Sequence, residues 1–353
     1  MLFNTRSAAA VNKGIGEVSD TTTDEIGRRL ASWARDRFGA DARIAGAKSL
    51  GGHSQVTVGF ELQVPGRETE RLVLKTPPPG VTAQNNFDVL RQVPVLQALA
   101  AQGVPAPQAR YWSGDPAAFG GPYLMMSRLA GSSPSDVFTD DAGRGIVDAD
   151  RQFGDAVSTL VRIHSIGEPQ LQGWGVARGV ADEIDHWVKV VRKSSDEAWV
   201  AQAMRVRELL HAGTPPEVPI GLVHGDYYTN NWVFDGPRLT GVVDWEGASI
   251  GPMLLDLGWL CTMYDPPSWG PLRRRRMGWH PGPERFIEWY RAASPLDLTH
   301  IDWYRALAAY RLACITAYYY ERHRTGRRHN PAWDVLGEAF PHLLEQAASR
   351  LGE

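Results

Sequence analysis

The sequence predicts an α+β chain in two lobes, an antiparallel-sheet lobe over residues 21–130 and a larger, mainly helical lobe over residues 131–353. Three observations point there. Short segments with strand-like patterning, at 56–62, 71–76 and 122–127, crowd the first part of the chain. Beyond them apolar residues recur at helical spacing, as at Phe153, Val157, Leu160 and Val161. Between the two stretches, Gly131-Ser132-Ser133-Pro134 reads as a boundary. A length of 353 residues is ample for two such bodies.

Taken in order, residues 1–20 are small and polar and read as a loosely held arm. Thr22-Thr23-Asp24 then opens a helical pattern through Ile26, Leu30, Trp33, Ala34 and Phe38, with the threonines as caps. Gly51-Gly52 precedes a strand beginning near Gln55, which by itself is a hairpin signal. Arg71–Thr76 forms the next strand and stops at Pro77-Pro78-Pro79. A helix over Phe87–Gln102 follows, closed by Gly103, and Pro94 is tolerable in it only within the first turn. The last strand of the lobe carries Met125-Met126, a pair that serves as core and can also pack flexibly around a flat ligand.

Composition excludes several classes. A formal charge of −3 gives no reason to expect a nucleic acid or an acidic membrane as partner. Cys261 and Cys314 are too few for a disulfide framework or a zinc site, and their apolar surroundings suit buried free thiols. The N-terminus lacks the apolar run of a secretory signal, and no stretch is long enough to span a bilayer. A cytoplasmic protein is expected.

The chemistry concentrates in His224-Gly225-Asp226-Tyr227-Tyr228-Thr229-Asn230-Asn231 and, after a short hairpin, Val242-Val243-Asp244-Trp245-Glu246. Phosphoryl transfer needs a carboxylate to orient a hydroxyl, oxygen ligands to hold magnesium, and positive charge to balance the moving group. Asp226 suits the first task. Asn231 and Asp244 offer the hard oxygens of the second. A lone Asp and Asn this far apart would more simply cap turns; the His-Gly prefix, the hairpin and the Asp-Trp-Glu together argue for more.

This pair of segments resembles the catalytic and metal-binding loops of the aminoglycoside-phosphotransferase-like kinases. Ala248-Ser249-Ile250-Gly251 and Asp256-Leu257-Gly258-Trp259-Leu260 resemble the branch related to acyl-CoA dehydrogenase family members. The resemblance implies a bilobal protein-kinase-like fold, with ATP and magnesium as cofactors and a small-molecule hydroxyl as acceptor. It implies Asp226 as the catalytic base, Asn231 and Asp244 as metal ligands, and Lys75 on the α and β phosphates. Backbone N–H groups around Gly52, His53 and Ser54 would face the phosphates, and adenine would lie along Ser127 to Leu129. Asp256 would accept N–H groups of the catalytic loop, and His164 would be structural.

Two positions depart from the family pattern. Where a helix glutamate should hold Lys75 stands Gln92, which accepts a hydrogen bond without the charge, and Asp88 one turn earlier is a possible substitute. Asn230 replaces a frequent glycine, and asparagine tolerates left-handed backbone. Gln92 motivates a second function class, a kinase-like nucleotide- or ligand-binding protein that no longer catalyses.

In the C-terminal part, aromatic residues at helical spacing are mostly core. Arg273-Arg274-Arg275-Arg276 with Arg322, Arg324, Arg327 and Arg328 tilt the acceptor away from a polycationic aminoglycoside and toward a neutral, apolar or anionic compound, although such a run is ordinarily a solvated face. The sequence sets neither the oligomeric state nor the choice between ATP and GTP.

Overall fold

The computed structural model describes residues 20–51, 55–84, 87–134, 145–171, 173–278, 280–327, 329–330 and 332–353. The arm expected over residues 1–20 lies outside them except for Asp20, which opens a helix. The chain divides into two compact units, Met1–Ala130 with Thr240–Gly247, and Gly131–Leu239 with Ala248–Glu353.

The first unit holds a five-stranded sheet of β1 (Arg43–Ser49), β2 (Val56–Gln63), β3 (Glu70–Thr76), β4 (Ala109–Ser113) and β5 (Tyr123–Ser127), in the order β1-β2-β3-β5-β4. Every neighbouring pair is antiparallel. Alternation in β2 sends Val56, Val58, Phe60 and Leu62 to one face, where Leu72 and Leu74 of β3 join them. Helix α1 (Asp20–Phe38) covers that face with Ile26, Leu30, Trp33 and Ala34, and the Trp33 indole donates to the Tyr123 hydroxyl at 3.0 Å. Its start at Asp20 places Thr22 and Thr23 within the helix, not before it as caps.

By the same alternation Lys75 lies on the opposite face from Leu72 and Leu74. The segment expected as one helix over Phe87–Gln102 begins as a 3-10 turn at Val89–Arg91 and continues as α2 (Gln92–Ala101). Asp88 caps the turn, accepting from the Leu90 N–H at 3.1 Å. Pro94 falls in the first turn of α2, where its missing N–H costs nothing. Strand β4 has no counterpart among the strands expected from sequence, because it is a short edge strand of alternately half-buried and exposed residues with no run of apolar side chains.

The second unit is mainly helical: α3 (Ala149–His164), α4 (Val180–His186), α5 (Val188–Val191), α6 (Glu197–Ala212), α7 (Leu255–Met263), α8 (Pro271–Arg276), α9 (Pro283–Ala293), α10 (Ile301–Arg324) and α11 (Ala332–Arg350). Asp148 and Asp196 cap α3 and α6 by accepting main-chain N–H groups. Helix α7 is buried along its whole length and runs close to α10. A Cβ on Gly258 would lie 2.5 Å from the Tyr304 carbonyl oxygen, so only glycine allows that approach. Cys261 and Cys314 are buried free thiols, and burial pushes the Cys261 thiol up to about 12.

Strands β6 (Ile220–Val223) and β9 (Ser249–Pro252) pair antiparallel inside this unit. The hairpin of β7 (Trp232–Asp235) and β8 (Arg238–Val242) carries the chain toward Thr240–Gly247. Among the described residues no helix is long and apolar enough to cross a membrane.

Candidate active site

In the second unit, β6 delivers the chain into His224-Gly225-Asp226. Gly225 has a φ of 84°, a left-handed turn that glycine makes at no steric cost. The loop is fixed from behind by Asp256 at the start of α7, which is completely buried. Its two carboxylate oxygens accept the His224 N–H at 2.6 Å and the Gly225 N–H at 2.8 Å. His164 Nε2 stands 3.5 Å from the same carboxylate, and its Nδ1 is 2.7 Å from the Tyr290 hydroxyl. Burial alone would push the Asp256 carboxyl up. The His164 hydrogen bond, the fields of His164 and His224 and the Gly225 N–H outweigh it and hold Asp256 below the ordinary carboxylate range. His224 Nδ1 accepts from the Asp226 N–H at 3.2 Å, which leaves the ring proton of a neutral imidazole on Nε2.

Asp226 is 4% exposed and Asn231 6%. A 3-10 turn at Thr229–Asn231 folds Asn231 back, and its Nδ2 donates to the Asp226 carbonyl at 2.7 Å and to Asp226 Oδ2 at 3.0 Å. Both partners are acceptors, so the amide can sit only one way round. Its nitrogen is committed, and its oxygen is the atom suited to a cation. Asn230 lies inside this 3-10 turn without a positive φ, so the left-handed tolerance invoked for it is not needed.

In the first unit, Asp244 has a φ of 71° and is, among the described residues, the one non-glycine in the left-handed region. That conformation costs a typical side chain about 1–2 kcal/mol, and such strain gathers at functional positions. Asp244 Oδ1 is 3.1 Å from Lys75 Nζ. Burial pulls the Lys75 ammonium down, and the carboxylates of Asp244 and Glu246 outweigh it and leave Lys75 raised. Gln92 is 2% exposed and donates instead to Gln55 Oε1 at 3.4 Å. Asp88 is occupied as a cap.

At the end of β5, Ser127 exchanges hydrogen bonds with Gln108, giving its N–H to the Gln108 carbonyl and accepting the Gln108 N–H at its hydroxyl, both at 2.9 Å. Arg128 gives its N–H to the Arg71 carbonyl at 2.8 Å. Leu129 packs beneath Gly241, where an added Cβ would lie 2.7 Å from the leucine Cδ1. Gly52, His53 and Ser54 lie outside the described residues; on either side of them, Leu50 N–H bonds the Thr57 carbonyl and closes the β1–β2 ladder.

The arginine run proves structural in part. Arg273 is 1% exposed, donates to the Met263 carbonyl at 2.9 Å and stacks 4.4 Å from the Trp269 ring centre. Arg274 bonds the carbonyls of Pro266, Pro267 and Trp269. Arg273 is therefore no part of a solvated face, Arg274 is exposed yet bonded to main-chain carbonyls, and Arg328 lies outside the described residues. Sequence reasoning also missed Arg311 in α10, which donates to the Gly225 carbonyl at 2.7 Å. No local signal marks that arginine.

The Asn231 amide oxygen in the second unit and the Asp244 carboxylate in the first are each hard oxygens, the kind that magnesium prefers. Among the described residues no cluster of three or more His, Cys, Asp or Glu could hold a metal by itself.

Comparison with known proteins bears on the family and the fold. The model of the phosphotransferase enzyme family matches residues 53–289, more than half of the chain. Acyl-CoA dehydrogenase family member 11 of Homo sapiens is 26% identical over 305 residues, 82% of this chain and 38% of that protein. A probable acyl-CoA dehydrogenase of Arabidopsis thaliana, IBR3, is 29% identical over 230 residues, 60% of this chain and 27% of that one. The chain thus spans well under half the length of these curated relatives. Among solved structures, one from Ralstonia eutropha with an aminoglycoside phosphotransferase assignment superposes with a TM-score of 0.71 at 21% identity, covering 91% of this chain and 98% of its own. A thermostable mutant of the aminoglycoside phosphotransferase APH(4)-Ia, in ternary complex with AMP-PNP and hygromycin B, gives 0.59 at 17% identity, covering 91% and 97%. At such identities the likeness speaks for the fold, which is the kinase-like α+β fold. From the family match and this fold, the chain belongs to the phosphotransferase enzyme family.

Proposed function

We infer that this chain transfers the γ-phosphoryl group of ATP to a hydroxyl of a small molecule. The observation that carries the reading is the clamp of Asn231 on Asp226, which aims a buried carboxylate and leaves an amide oxygen for a cation. Asp226 accepts the hydroxyl proton as the acceptor oxygen bonds to the γ-phosphorus. The bond from that phosphorus to the β–γ bridging oxygen breaks, and ADP departs. Lys75, paired with Asp244, would offer its ammonium to the α and β phosphates. Asn231 and Asp244 would hold magnesium, which when bound supplies charge neutralisation on the phosphates. Adenine lies along Ser127 to Leu129, with the Leu129 N–H as donor because those of Ser127 and Arg128 are spent on Gln108 and Arg71. Main-chain N–H groups of Gly52, His53 and Ser54 face the phosphates. The structures of related fold solved with ADP or AMP-PNP support a nucleotide as donor.

The acceptor is an alcohol. The relatives named as acyl-CoA dehydrogenases favour a hydroxylated acyl compound over an aminoglycoside. The partner is a small molecule, with neither nucleic acid nor membrane in the reaction.

The test is a pair of measurements on wild type and Asp226→Ala. ATP with magnesium should raise the melting temperature of both, whereas ADP release with a panel of hydroxyacyl thioesters, choline and aminoglycosides should appear in wild type only. Loss of a general base costs about 10²–10⁴-fold in rate. Equal turnover in both proteins would remove Asp226 from the mechanism. A second reading, nucleotide binding without catalysis, draws on the neutral Gln92 bonded to Gln55. It predicts the thermal shift with no ADP release from any acceptor.

A further inference from the structure

We propose that Arg311 is a positioning residue for the catalytic loop, holding the Gly225 peptide so that Asp226 keeps its direction; this rests on the phosphoryl-transfer reading above. Gly225 immediately precedes Asp226 and stands in the left-handed region at a φ of 84°. A glycine there has no side chain to limit its rotation, so its geometry must be imposed by what bonds its peptide groups. Its N–H is taken by Asp256 Oδ1 at 2.8 Å and its carbonyl by Arg311 Nη2 at 2.7 Å. The first fixes the peptide entering Gly225. The second fixes the peptide that leaves it for Asp226.

The guanidinium is itself held by two rings and a carboxylate, while its Nε makes no hydrogen bond. It lies 4.8 Å from the Trp187 ring centre and 5.1 Å from that of Trp259, an indole on either contact. Cation–π contacts of this kind favour arginine, whose planar charge stacks where an ammonium would not. Arg311 Nη1 is 3.9 Å from Glu183 Oε1, and Glu183 is fixed by Trp187 Nε1 at 3.0 Å and Arg178 Nη1 at 2.7 Å. The Arg178 N–H in turn bonds the Ile250 carbonyl of β9, the strand paired with β6 that leads into the loop. Arg311 therefore joins α4, α7 and α10 to one carbonyl oxygen beside the proposed base. Its side chain is only 11% exposed, which suits a strut more than a ligand contact.

The experiment compares wild type, Arg311→Lys and Arg311→Ala, with magnesium ATP and water as the acceptor and ADP formation as the readout. A small misplacement of a reacting group can cost on the order of 100-fold in rate. Arg311→Ala should lose about ten- to a hundredfold in kcat while KM for ATP and the thermal shift by magnesium ATP stay near wild type. Millimolar guanidinium should restore part of the loss, and Arg311→Lys should fall between. Wild-type kcat in Arg311→Ala would overturn the proposal, as would a loss shared equally by kcat, KM and melting temperature without rescue. If wild type forms no ADP with water, transfer to an alcohol still stands or falls by the acceptor panel above, and hydrogen exchange then decides the role of Arg311. In Arg311→Lys, faster exchange confined to residues 222–232 supports the strut; unchanged exchange there, or a uniform rise across the chain, overturns it.

Discussion

Lys75 Nζ meets Asp244 Oδ1 at 3.1 Å across 169 residues of sequence, and this contact, with Glu246 nearby, leaves the buried ammonium raised although Gln92 carries no charge. Asp244 thus stands for two things: it pairs with Lys75, and it is the carboxylate proposed for magnesium. Gln92 is left to bond Gln55.

Gln92→Glu should therefore destabilise the chain. It places a carboxylate at a site 2% exposed whose partner is another amide, while the ammonium is already engaged. Burying a poorly matched polar group costs about 1–3 kcal/mol, which would appear as a lower midpoint in urea unfolding. A raised midpoint would mean that the new carboxylate captures Lys75 and releases Asp244.

Asp256 sets an acid limit. Its folded pKa is depressed, so its contribution to stability is complete above the unfolded value near 3.9 and is lost as pH falls from there through the folded value. Replacement by Asn turns one acceptor into a donor facing a main-chain N–H, and hydrogen bonds to a charged group are worth about 1.5–3 kcal/mol each. Asp256→Asn should melt earlier at pH 7, and its loss of stability below about pH 4 should be shallower than that of wild type. Parallel acid limbs in the two proteins would contradict this.

Arg273 and Arg275 are neighbours in sequence and opposites in place. Arg273 is buried against Trp269 and the Met263 carbonyl, whereas Arg275 is exposed. Arg273→Ala should cost about 2–4 kcal/mol through its lost bond and stacking, and Arg275→Ala less than about 0.5 kcal/mol. Chemical denaturation of the two variants checks the difference, and equal midpoints would show that Arg273 is no anchor.

What was legible in the sequence follows from how far apart the interacting residues lie. Asp226 and Asn231 are five positions apart on one loop, so their type and spacing carry the arrangement. Asp256 was legible through its place after Asp244-Trp245-Glu246, and the antiparallel sheet through the alternation of β2 and β3. Lys75 and Asp244, or Arg311 and Gly225, meet only through the tertiary fold, and nothing near either residue names its partner. Arg273 was misread for a related reason: four consecutive arginines look like one solvated patch, yet α8 buries Arg273 while Arg274 and Arg275 stay exposed. Strand β4 escaped because an edge strand need not be apolar.

The eight residues Thr240–Gly247 belong to the first unit although the chain reaches them last. During synthesis the sheet strands leave the ribosome early, and at about 5–20 residues per second the carboxylate for Lys75 follows some 169 positions later, a delay on the order of ten seconds or more. Until then the unit also lacks the Val242 N–H that bonds the Pro105 carbonyl and the Thr240 hydroxyl that bonds the Ala130 carbonyl. A nascent chain cut off at residue 130 would leave a lysine that is 9% exposed in the finished protein with its countercharge unwritten. The first unit is thus completed late in translation, by a segment coded far downstream of its sheet.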